Sequence, residues 1–335
     1  MSFLDDLAVR ARDRLPQRIY TAISRGVGGS VAFEANLQAW RDLKLAPHVL
    51  SGVRVADPAT SVLGTRVSTP VLLAPAGLPR GASQEAECDA ARGAAEAGTL
   101  MVLSHHSTRT LEDVAAAAPG CPRWFQLYVT TDRAHCESLL RRAGRAGYSA
   151  IVLTVDSGGG IALEGQRPDP DWDLTPMRGG GDFDPSISAD VVAWAGKHSG
   201  LPVVVKGVMR ADDARRCAGA GAAAIIVSNH GGRALDAAAP TAQALPYIAE
   251  AVGGELEVYV DGGIRSGQDV IKAIALGAKA VFIGQPWVWA VCAGGADEVA
   301  AVVRTLTTEL VAGLAMCGLD SLDAIDQRIL WSGQR

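Results

Sequence analysis

Residue types that carry out acid–base chemistry stand at the ends of apolar runs in this sequence. His230 follows the run AIIVSN and is followed by Gly231, Gly232 and Arg233. Because unperturbed imidazole has a pKa of about 6.5, a histidine there can take up a proton near neutral pH. Arg233 offers a planar cation that suits a carboxylate. The pair predicts a base beside an anion clamp, although His230 alone fits a core or surface histidine and Arg233 alone fits a surface cation.

Three further side chains extend this hypothesis. Lys206 ends the run VVVK, where a cation is costly unless it meets an anion, although its stem could also lie along apolar surface with the ammonium in water. Asp156 ends LTVD and either supports a protonated imidazole or caps a helix. Tyr128 ends WFQLY and either donates to a substrate oxygen or is a buried tyrosine with a satisfied hydroxyl.

A glycine-rich segment predicts an anion site. Asp261, Gly262, Gly263, Ile264 and Arg265 are consecutive and follow an apolar run, and Gly284 follows the next run. Glycines let backbone N–H groups approach an anion, and the arginine adds its charge. The alternative is that the glycines only form tight turns. The position of the motif in the last two units of the chain favours a phosphate-bearing ligand.

The elements that carry these residues repeat. Short apolar runs begin near Val71, Leu100, Arg123, Ala150, Pro202, Ala224, Glu257 and Ala280. Helix-forming stretches follow several of them, including Gln84–Gly98, Ala211–Gly221 and Gly267–Gly277. Alternation of buried strands and helices is typical of parallel βα units. Eight units predict the α/β class and a single (β/α)8 TIM barrel over residues 1–335, with the barrel core at about 71–295.

Segments outside the units complete the predicted architecture. Residues 1–70 hold two helix-like patterns, an N-terminal helical extension, and then Val53–Thr69, which fits a hairpin plugging the barrel bottom. Asp297–Asp326 fits C-terminal closing helices. The stretch Ser157–Pro185 is rich in Gly, Pro and Asp, and long loops of this kind are lids, binding loops or disordered segments.

Composition excludes several classes of protein. Hydrophobic residues make up 48% and charged residues 20% of the 335 residues, with a net charge of −5, which argues against disorder and against an electrostatic grip on nucleic acid or lipid. The six cysteines never stand two residues apart, so we expect reduced thiols and no metal site. The N-terminus lacks an uninterrupted apolar core, and we expect a cytoplasmic protein without a membrane span.

These motifs resemble the FMN-dependent 2-hydroxy acid oxidase and dehydrogenase family, the group of glycolate oxidase, lactate oxidase and mandelate dehydrogenase. The resemblance is carried by VKGVMRADDARRCAGAGAAAIIVSNHGGRALD and continues through LPQRIY, APAG, WFQLYV, LTVD, DGGIRSGQD and VFIGQP. It covers nearly the whole chain and implies a (β/α)8 barrel with FMN as cofactor.

Carried over position by position, the resemblance implies a role for each strand end. The cofactor would contact Pro75, Ala76, Gly77, Ser104, Gln126, Thr154, Lys206, Ser228, Asp261, Gly263, Arg265, Gly284 and Gln285. His230 would remove a proton from the substrate while electrons pass to flavin N5, and Asp156 would support its imidazolium. Lys206 would face the flavin edge where negative charge collects. Arg233 would bind the substrate carboxylate, with Tyr128 on the carboxylate or on the carbonyl being formed.

Departures from the family pattern lie on the substrate side. Ala22 stands where the family has its second carboxylate-binding tyrosine, and His106 stands where it commonly has tryptophan. No arginine occurs in Gly158–Leu163, where one often follows the fourth strand. Gln285 replaces a second phosphate arginine. At position 77 the oxidases commonly have alanine, and the glycine of this chain resembles the dehydrogenase pattern instead.

The sequence therefore predicts an FMN enzyme that oxidises a carbon bearing OH, or NH2, beside a carboxylate, with His106 among the substrate-binding residues and a substrate larger or more polar than glycolate or lactate. Two alternatives stay open: an FMN barrel isomerase without net oxidation, and a flavin-binding protein that has lost catalysis. Oxygen or another carrier would accept the electrons. We expect a homo-oligomer, since family members are often tetramers.

Overall fold

The computed structural model describes residues 2–78, 83, 85–157, 177, 179 and 181–332. It contains a closed barrel of eight parallel strands, which confirms the predicted fold. The barrel strands are β3 (Val71–Leu73), β4 (Met101–Leu103), β5 (Arg123–Leu127), β6 (Ile151–Thr154), β7 (Val203–Val208), β8 (Ala224–Val227), β9 (Glu257–Val260) and β10 (Ala280–Ile283). A short hairpin, β1 (Thr60–Val62) and β2 (Thr65–Val67), precedes them.

Each strand is buried on both faces, as its continuous apolar sequence predicts. One residue set faces the surrounding helices, and the alternate set fills the barrel interior as a separate packed cluster. The interior set includes Leu72, Val102, Trp124, Val152, Val204, Ile226, Tyr259 and Phe282. The interior is therefore a solid core, and a ligand has room only at the ends of the barrel.

Helices surround the strands in the expected alternation. In chain order they are α1 (Phe3–Arg14), α2 (Gln17–Ser24), α3 (Val31–Asp42), α4 (Glu87–Glu96), α5 (Leu111–Ala117), α6 (Arg133–Arg145), α7 (Asp190–Ser199), α8 (Ala211–Gly219), α9 (Thr241–Val252), α10 (Gly267–Ala275), α11 (Gln285–Gly294) and α12 (Ala296–Met316). Glycines at positions 98, 221 and 277 follow α4, α8 and α10 with positive φ angles, so the predicted helix ends lie within two residues of the observed ones.

The N-terminal extension contains three helices where the sequence predicts two. Pro16 separates α1 from α2: Leu15 before it has ψ 147°, an extended value, and Pro16 stands at the N-cap of α2. A proline disfavours helical geometry in the residue before it, and this ends the first helix. The third helix, α3, packs on α9 and α10 of the barrel.

The hairpin lies where the sequence predicts it. Val62 and Val67 are buried in the same cluster as the interior residues of the barrel strands. The backbone N–H of Leu63 donates to the Glu257 carboxylate at the first residue of β9 (3.1 Å). The hairpin therefore closes the end of the barrel at which the strands begin, and leaves the opposite end for the site.

The closing helices follow the barrel directly. By length and apolar composition alone, α12 could cross a membrane. Its buried face, which includes Val299, Val303, Leu306 and Leu310, belongs to the main core, and the helix packs on α4, α10 and α11. A packed core helix accounts for this composition, and the absence of a membrane partner stays a prediction.

Candidate active site

The carboxyl ends of the barrel strands bring the predicted side chains to one mouth of the barrel. Tyr128 follows β5, Asp156 follows β6, and Lys206 lies inside β7. His230 and Arg233 follow β8. Parallel strands all end at the same rim, which explains how residues far apart in sequence meet here.

His230 lies between an acid and a phenol. Its Nδ1 is 2.9 Å from Asp156 Oδ1, and its Nε2 is 3.3 Å from the Tyr128 hydroxyl. A carboxylate on Nδ1 holds the proton there and leaves Nε2 as the basic atom. The arrangement can therefore take a proton at Nε2 and stabilise the resulting imidazolium.

Charge in this group is distributed to keep the carboxylate ionised. Burial raises the pKa of Asp156, but the charge and hydrogen bond of His230 and the charge of Lys206 outweigh it, so the pKa lies below its ordinary value. Burial, and then the negative charge of Asp156, raise the pKa of the Tyr128 hydroxyl. Tyr128 is therefore a hydrogen-bond donor at neutral pH and not an anion.

Local backbone geometry supports this arrangement. His230 has a φ of 59°, a left-handed conformation that is costly for a residue with a side chain and is concentrated at functional sites. Gly207 has a φ of 107°, and a Cβ there would lie 2.7 Å from Asp156 Cβ. Glycine at 207 is required for Asp156 to approach the strand beside it.

Lys206 has the anionic partner that its buried position demands. Its Nζ is 3.1 Å from Asp261 Oδ2 and donates to Ser228 Oγ (2.8 Å). Burial lowers the pKa of Lys206, but the negative charges of Asp261 and Asp156 raise it by more, so the pKa lies above its usual value. Pairing with β8 shifts register between Lys206 and Val208, a bulge of the kind that re-aims side chains near sites. Lys206 is thus a fixed cation in the barrel mouth, not a snorkelling surface residue.

Several polar atoms around the mouth have no hydrogen-bond partner among the described residues although they are buried. They include Gln126 Nε2, Thr154 Oγ1 and Asp261 Oδ1. Gln126 is itself fixed, because its Oε1 accepts from Ser104 Oγ and from the backbone N–H of His105, both at 3.1 Å. Buried polar groups are normally satisfied, so these atoms indicate a polar ligand.

The unpartnered atoms fit a flavin. An amide donor, a hydroxyl and a carboxylate acceptor match the carbonyl and N–H groups of the isoalloxazine edge and the hydroxyls of the ribityl chain. Lys206 adds a positive charge beside them. The predicted cofactor residues Pro75, Ala76 and Gly77 follow β3 at the same mouth.

Gly77 has a steric role in this structure. A Cβ at position 77 would lie 2.8 Å from the backbone oxygen of His106. Glycine is therefore needed where the β3 and β4 loops touch. This contact accounts for the glycine without reference to the electron acceptor.

The predicted phosphate residues follow β9 and β10. Gly262 and Gly263 have φ angles of 84° and 90°, which only glycine adopts readily. Arg265 Nη2 donates to Gln285 Oε1 (2.5 Å), and Gly284 precedes α11. Burial, and then the charge of Arg233, lower the pKa of Arg265 to about 10. A recessed cation among glycine backbone groups suits a phosphate.

Arg233 is held from the N-terminal extension. Its Nη2 donates to the backbone carbonyl of Ile23 in α2, and its guanidinium lies 5.8 Å from the Phe33 ring centre. Burial lowers the pKa of Arg233 to about 10. Ala22, where the family has a tyrosine, precedes that carbonyl. Residues 158–163, where the family pattern often has an arginine and this sequence has none, lie outside the described residues.

Phe183 belongs to the site, and the sequence does not single it out. Its ring lies 4.8 Å from Tyr128 and 5.9 Å from His106, while those two rings are 4.8 Å apart. A bridge between Phe183 and Thr130 places it there. The only signal in the sequence is an aromatic residue in a Gly- and Asp-rich stretch.

His105 is a second residue that the sequence analysis passes over. Its Nδ1 accepts from the backbone N–H of Tyr128 (3.3 Å), and its Nε2 is 3.1 Å from the carbonyl of Met177. His135 Nε2 approaches the same carbonyl at 2.9 Å. His105 lies behind the site and fixes the backbone of Tyr128.

Known proteins match this chain along most of its length. The sequence pattern of the FMN-dependent dehydrogenase family matches residues 11–171 and 167–332. The chain is 37% identical over 350 residues to a 2-hydroxyacid oxidase of Dictyostelium discoideum, covering 98% of this chain and 89% of that protein. It is 38% identical over 352 residues to an L-lactate oxidase of a Nostoc species, covering 96% and 95%.

A solved structure agrees with these matches. A mandelate oxidase variant with a C4a-OH-FMN adduct superimposes with a TM-score of 0.87 at 38% identity, covering 97% of this chain and 98% of that one. The agreement extends over the barrel, the N-terminal extension and the closing helices together. The chain therefore belongs to the FMN-dependent dehydrogenase family, and its cofactor is FMN.

Proposed function

We propose that this protein oxidises the hydroxyl-bearing carbon of a 2-hydroxy acid to the 2-oxo acid, with His230 as the base. The observation that carries the proposal is the His230 imidazole, held by Asp156 at 2.9 Å and facing the Tyr128 hydroxyl at 3.3 Å beside the flavin-binding residues. Similarity to proteins named 2-hydroxyacid oxidase, L-lactate oxidase and mandelate oxidase supports the substrate class.

His230 takes a proton from the substrate at Nε2. Asp156 holds the Nδ1 proton and stabilises the imidazolium, so the positive charge that develops is paired as it forms. Tyr128 donates its hydroxyl hydrogen to a substrate oxygen near the base. The distance of 3.3 Å between His230 Nε2 and the Tyr128 hydroxyl supports this proposal, because one substrate carbon and its oxygen can contact both groups.

When bound, FMN would accept the two electrons that the substrate carbon loses, together with the second hydrogen of the CH–OH group, while His230 takes the first as a proton. Lys206 supplies a fixed positive charge, paired with Asp261 at 3.1 Å, on the side where negative charge would collect. Gln126, Thr154 and Asp261 would hold the ring and ribityl groups through the atoms left unpartnered among the described residues.

Arg233 binds the substrate carboxylate, and His106 and Tyr128 line the remaining space. Because Ala22 offers no hydroxyl, the carboxylate has one donor fewer than the family pattern provides. We propose a substrate larger or more polar than glycolate or lactate, which gains contacts elsewhere. His106 supplies ring surface for such contacts, and Phe183 beside it limits the space.

Molecular oxygen is the electron acceptor that we propose, because the relatives above are named oxidases. The steric account of Gly77 removes one argument for a dehydrogenase. Assembly into a homo-oligomer and a cytoplasmic location remain further predictions.

The test is anaerobic reduction of the bound flavin by a panel of 2-hydroxy acids and 2-amino acids. We expect the visible absorbance of the oxidised flavin to bleach with at least one 2-hydroxy acid, and admission of oxygen to restore it. His230→Gln should slow bleaching by about 10²- to 10⁴-fold, while the flavin stays bound.

Three outcomes would contradict the proposal. If only 2-amino acids bleach the flavin, the enzyme oxidises C–NH2 groups and the proposed oxidation of hydroxy acids is wrong. Substrate conversion without net electron transfer would favour the isomerase. Failure of every compound to bleach wild-type flavin would favour a flavin-binding protein without catalysis.

A further inference from the structure

Two guanidinium groups lie near each other between the phosphate and substrate ends of the site. Arg265 follows β9, and Arg233 follows β8. After burial, the charge of Arg233 is the next largest influence lowering the pKa of Arg265 to about 10. Like charges in a recessed site require bound anions or an intervening polar group.

Gln285 is that intervening group. Its Oε1 accepts from Arg265 Nη2 at 2.5 Å, and its Nε2 donates to the Ile23 carbonyl at 2.8 Å. The same carbonyl accepts from Arg233 Nη2. Hydrogen bonds therefore run from Arg265 through Gln285 and the Ile23 carbonyl to Arg233, and we refer to this path as the Gln285 chain.

The chemistry of the side chain at position 285 decides whether this path can exist. A carboxamide accepts through oxygen and donates through nitrogen at the same time. An ionised glutamate has no proton for the Ile23 carbonyl, and an arginine cannot accept from Arg265 and adds a third cation. Glutamine at position 285 thus makes a connection that neither glutamate nor arginine could make.

The Ile23 carbonyl is available because of its place in the helix. Ile23 is the penultimate residue of α2 (Gln17–Ser24), and the last four carbonyls of a helix lack partners within it. Ile23 is buried, so this carbonyl needs protein donors. In this chain α2 thus contacts Arg233 through the Ile23 carbonyl.

We propose that Gln285 is a positioning residue for substrate binding: through the Ile23 carbonyl it holds Arg233 in the orientation that receives the substrate carboxylate. The inference rests on the proposed function, because it assigns Arg233 to that carboxylate. His230 lies outside the Gln285 chain, so the base and its partner Asp156 are unaffected by it.

The first test compares Gln285→Leu with wild type as FMN-saturated holoenzymes. Oxalate, a dicarboxylate probe, is titrated against oxidised flavin and followed by the change in flavin absorbance. We expect the oxalate Kd and the substrate KM to rise about 3- to 10-fold, as for loss of the neutral hydrogen bond from Gln285 to the Ile23 carbonyl, with kcat within about 2-fold of wild type. Gln268→Leu, at an exposed position of α10, is the control and should match wild type.

A second variant shows whether Gln285 acts through the arginine. In an Arg233→Lys background the forked guanidinium is absent, so Gln285→Leu should change the oxalate Kd by less than about 2-fold. The affinity of the apoprotein for FMN is measured on all variants, because Gln285 also contacts the phosphate arginine.

Several results would overturn the inference. An equal loss of oxalate affinity in both backgrounds would show that Gln285 does not act through Arg233. A loss of FMN affinity with unchanged oxalate Kd and KM would make Gln285 a phosphate residue only. Absence of oxalate binding by wild-type holoenzyme would remove the anion clamp itself.

Failure of the proposed function gives a different pattern. If the wild-type holoenzyme binds oxalate but no 2-hydroxy acid reduces its flavin, the proposed oxidation of 2-hydroxy acids is wrong. The oxalate titrations of the variants then still decide whether Gln285 positions Arg233. If wild type turns over and the Gln285 variant binds oxalate and substrate normally, only the positioning role is wrong.

Discussion

At the scale of single residues, the site combines side chains at strand ends with groups that arrive from elsewhere. Tyr128 touches both kinds: its hydroxyl reaches His230 at the end of β8, and its ring packs on Phe183 from the loop after β6. The first contact bears on catalysis. The second bears on which side chain of a substrate fits beside the base.

Phe183 supports a prediction about specificity. Phe183→Ala should raise the ratio of kcat/KM for bulky over small 2-hydroxy acids by about 10-fold, since removing the ring opens space beside Tyr128 and His106. Phe183→Leu, which keeps most of the volume, should shift the ratio little. The measurement is kcat/KM over acids of increasing side-chain size. Equal slowing of every acid would mean that Phe183 only supports the Tyr128 ring.

Sequence reasoning finds residues whose own position is informative. A charged or imidazole side chain at the end of an apolar strand, such as Lys206 or His230, can be recognised in the sequence because its burial there is costly. Phe183 does not, since an aromatic residue in a loop has many other uses. The Ile23 carbonyl cannot be found at all, because a backbone oxygen leaves no mark on the residue type. The roles assigned by resemblance stay predictions until the experiments above are done.

At the scale of elements, the loops after β4 and β5 are joined by a buried histidine. His105 is 2% exposed and accepts from the N–H of Tyr128, while its other nitrogen faces the Met177 carbonyl. Protonation would place a donor against that N–H. Burial, and next the neighbouring His135, lower the pKa of His105 to about 4, although the Met177 carbonyl opposes this.

His105 therefore makes stability depend on pH. The unfolded chain takes up a proton near pH 6.5 and the folded chain only near pH 4, so stability is complete above pH 6.5 and is lost as pH falls from 6.5 to 4. The loss amounts to about 3 kcal/mol at most. His105→Gln should reduce the pH dependence of the free energy of unfolding, measured with urea, between these pH values. His48→Gln, at an exposed position, is the control, and an unchanged slope in His105→Gln would contradict the assignment.

Element boundaries show where pattern reasoning works. Helix ends marked by glycine, as at Gly98, are predicted closely because the left-handed geometry selects the residue type. The division of the first helical segment into α1 and α2 is not predicted from the sequence. The amphipathic periodicity continues across Pro16, whereas the helix is interrupted there. The eight strands are found because burial on both faces makes them uniformly apolar.

At the scale of the whole molecule, the N-terminal extension is clamped to the catalytic end of the barrel. Asn36 in α3 and Asn229 beside His230 exchange two amide hydrogen bonds, at 2.8 and 3.0 Å. Trp40 Nε1 donates to the Gly262 carbonyl (2.8 Å), so the same helix also contacts the loop after β9. The helix α3 thus contacts both the loop after β8, which carries His230, and the loop after β9.

The asparagine pair gives the last prediction. Asn36→Ala should reduce the free energy of unfolding by about 1–3 kcal/mol, because it leaves polar atoms of buried Asn229 with fewer partners. It should also weaken FMN binding, since the β8 and β9 loops lose their common support. Urea unfolding and FMN titration of the apoprotein measure the two effects, and Gln38→Ala, on the exposed face of α3, is the control. A stability loss with unaltered FMN affinity would show that α3 stabilises the barrel without ordering the site, whereas a parallel loss of both would show that the extension is part of how the barrel mouth is built.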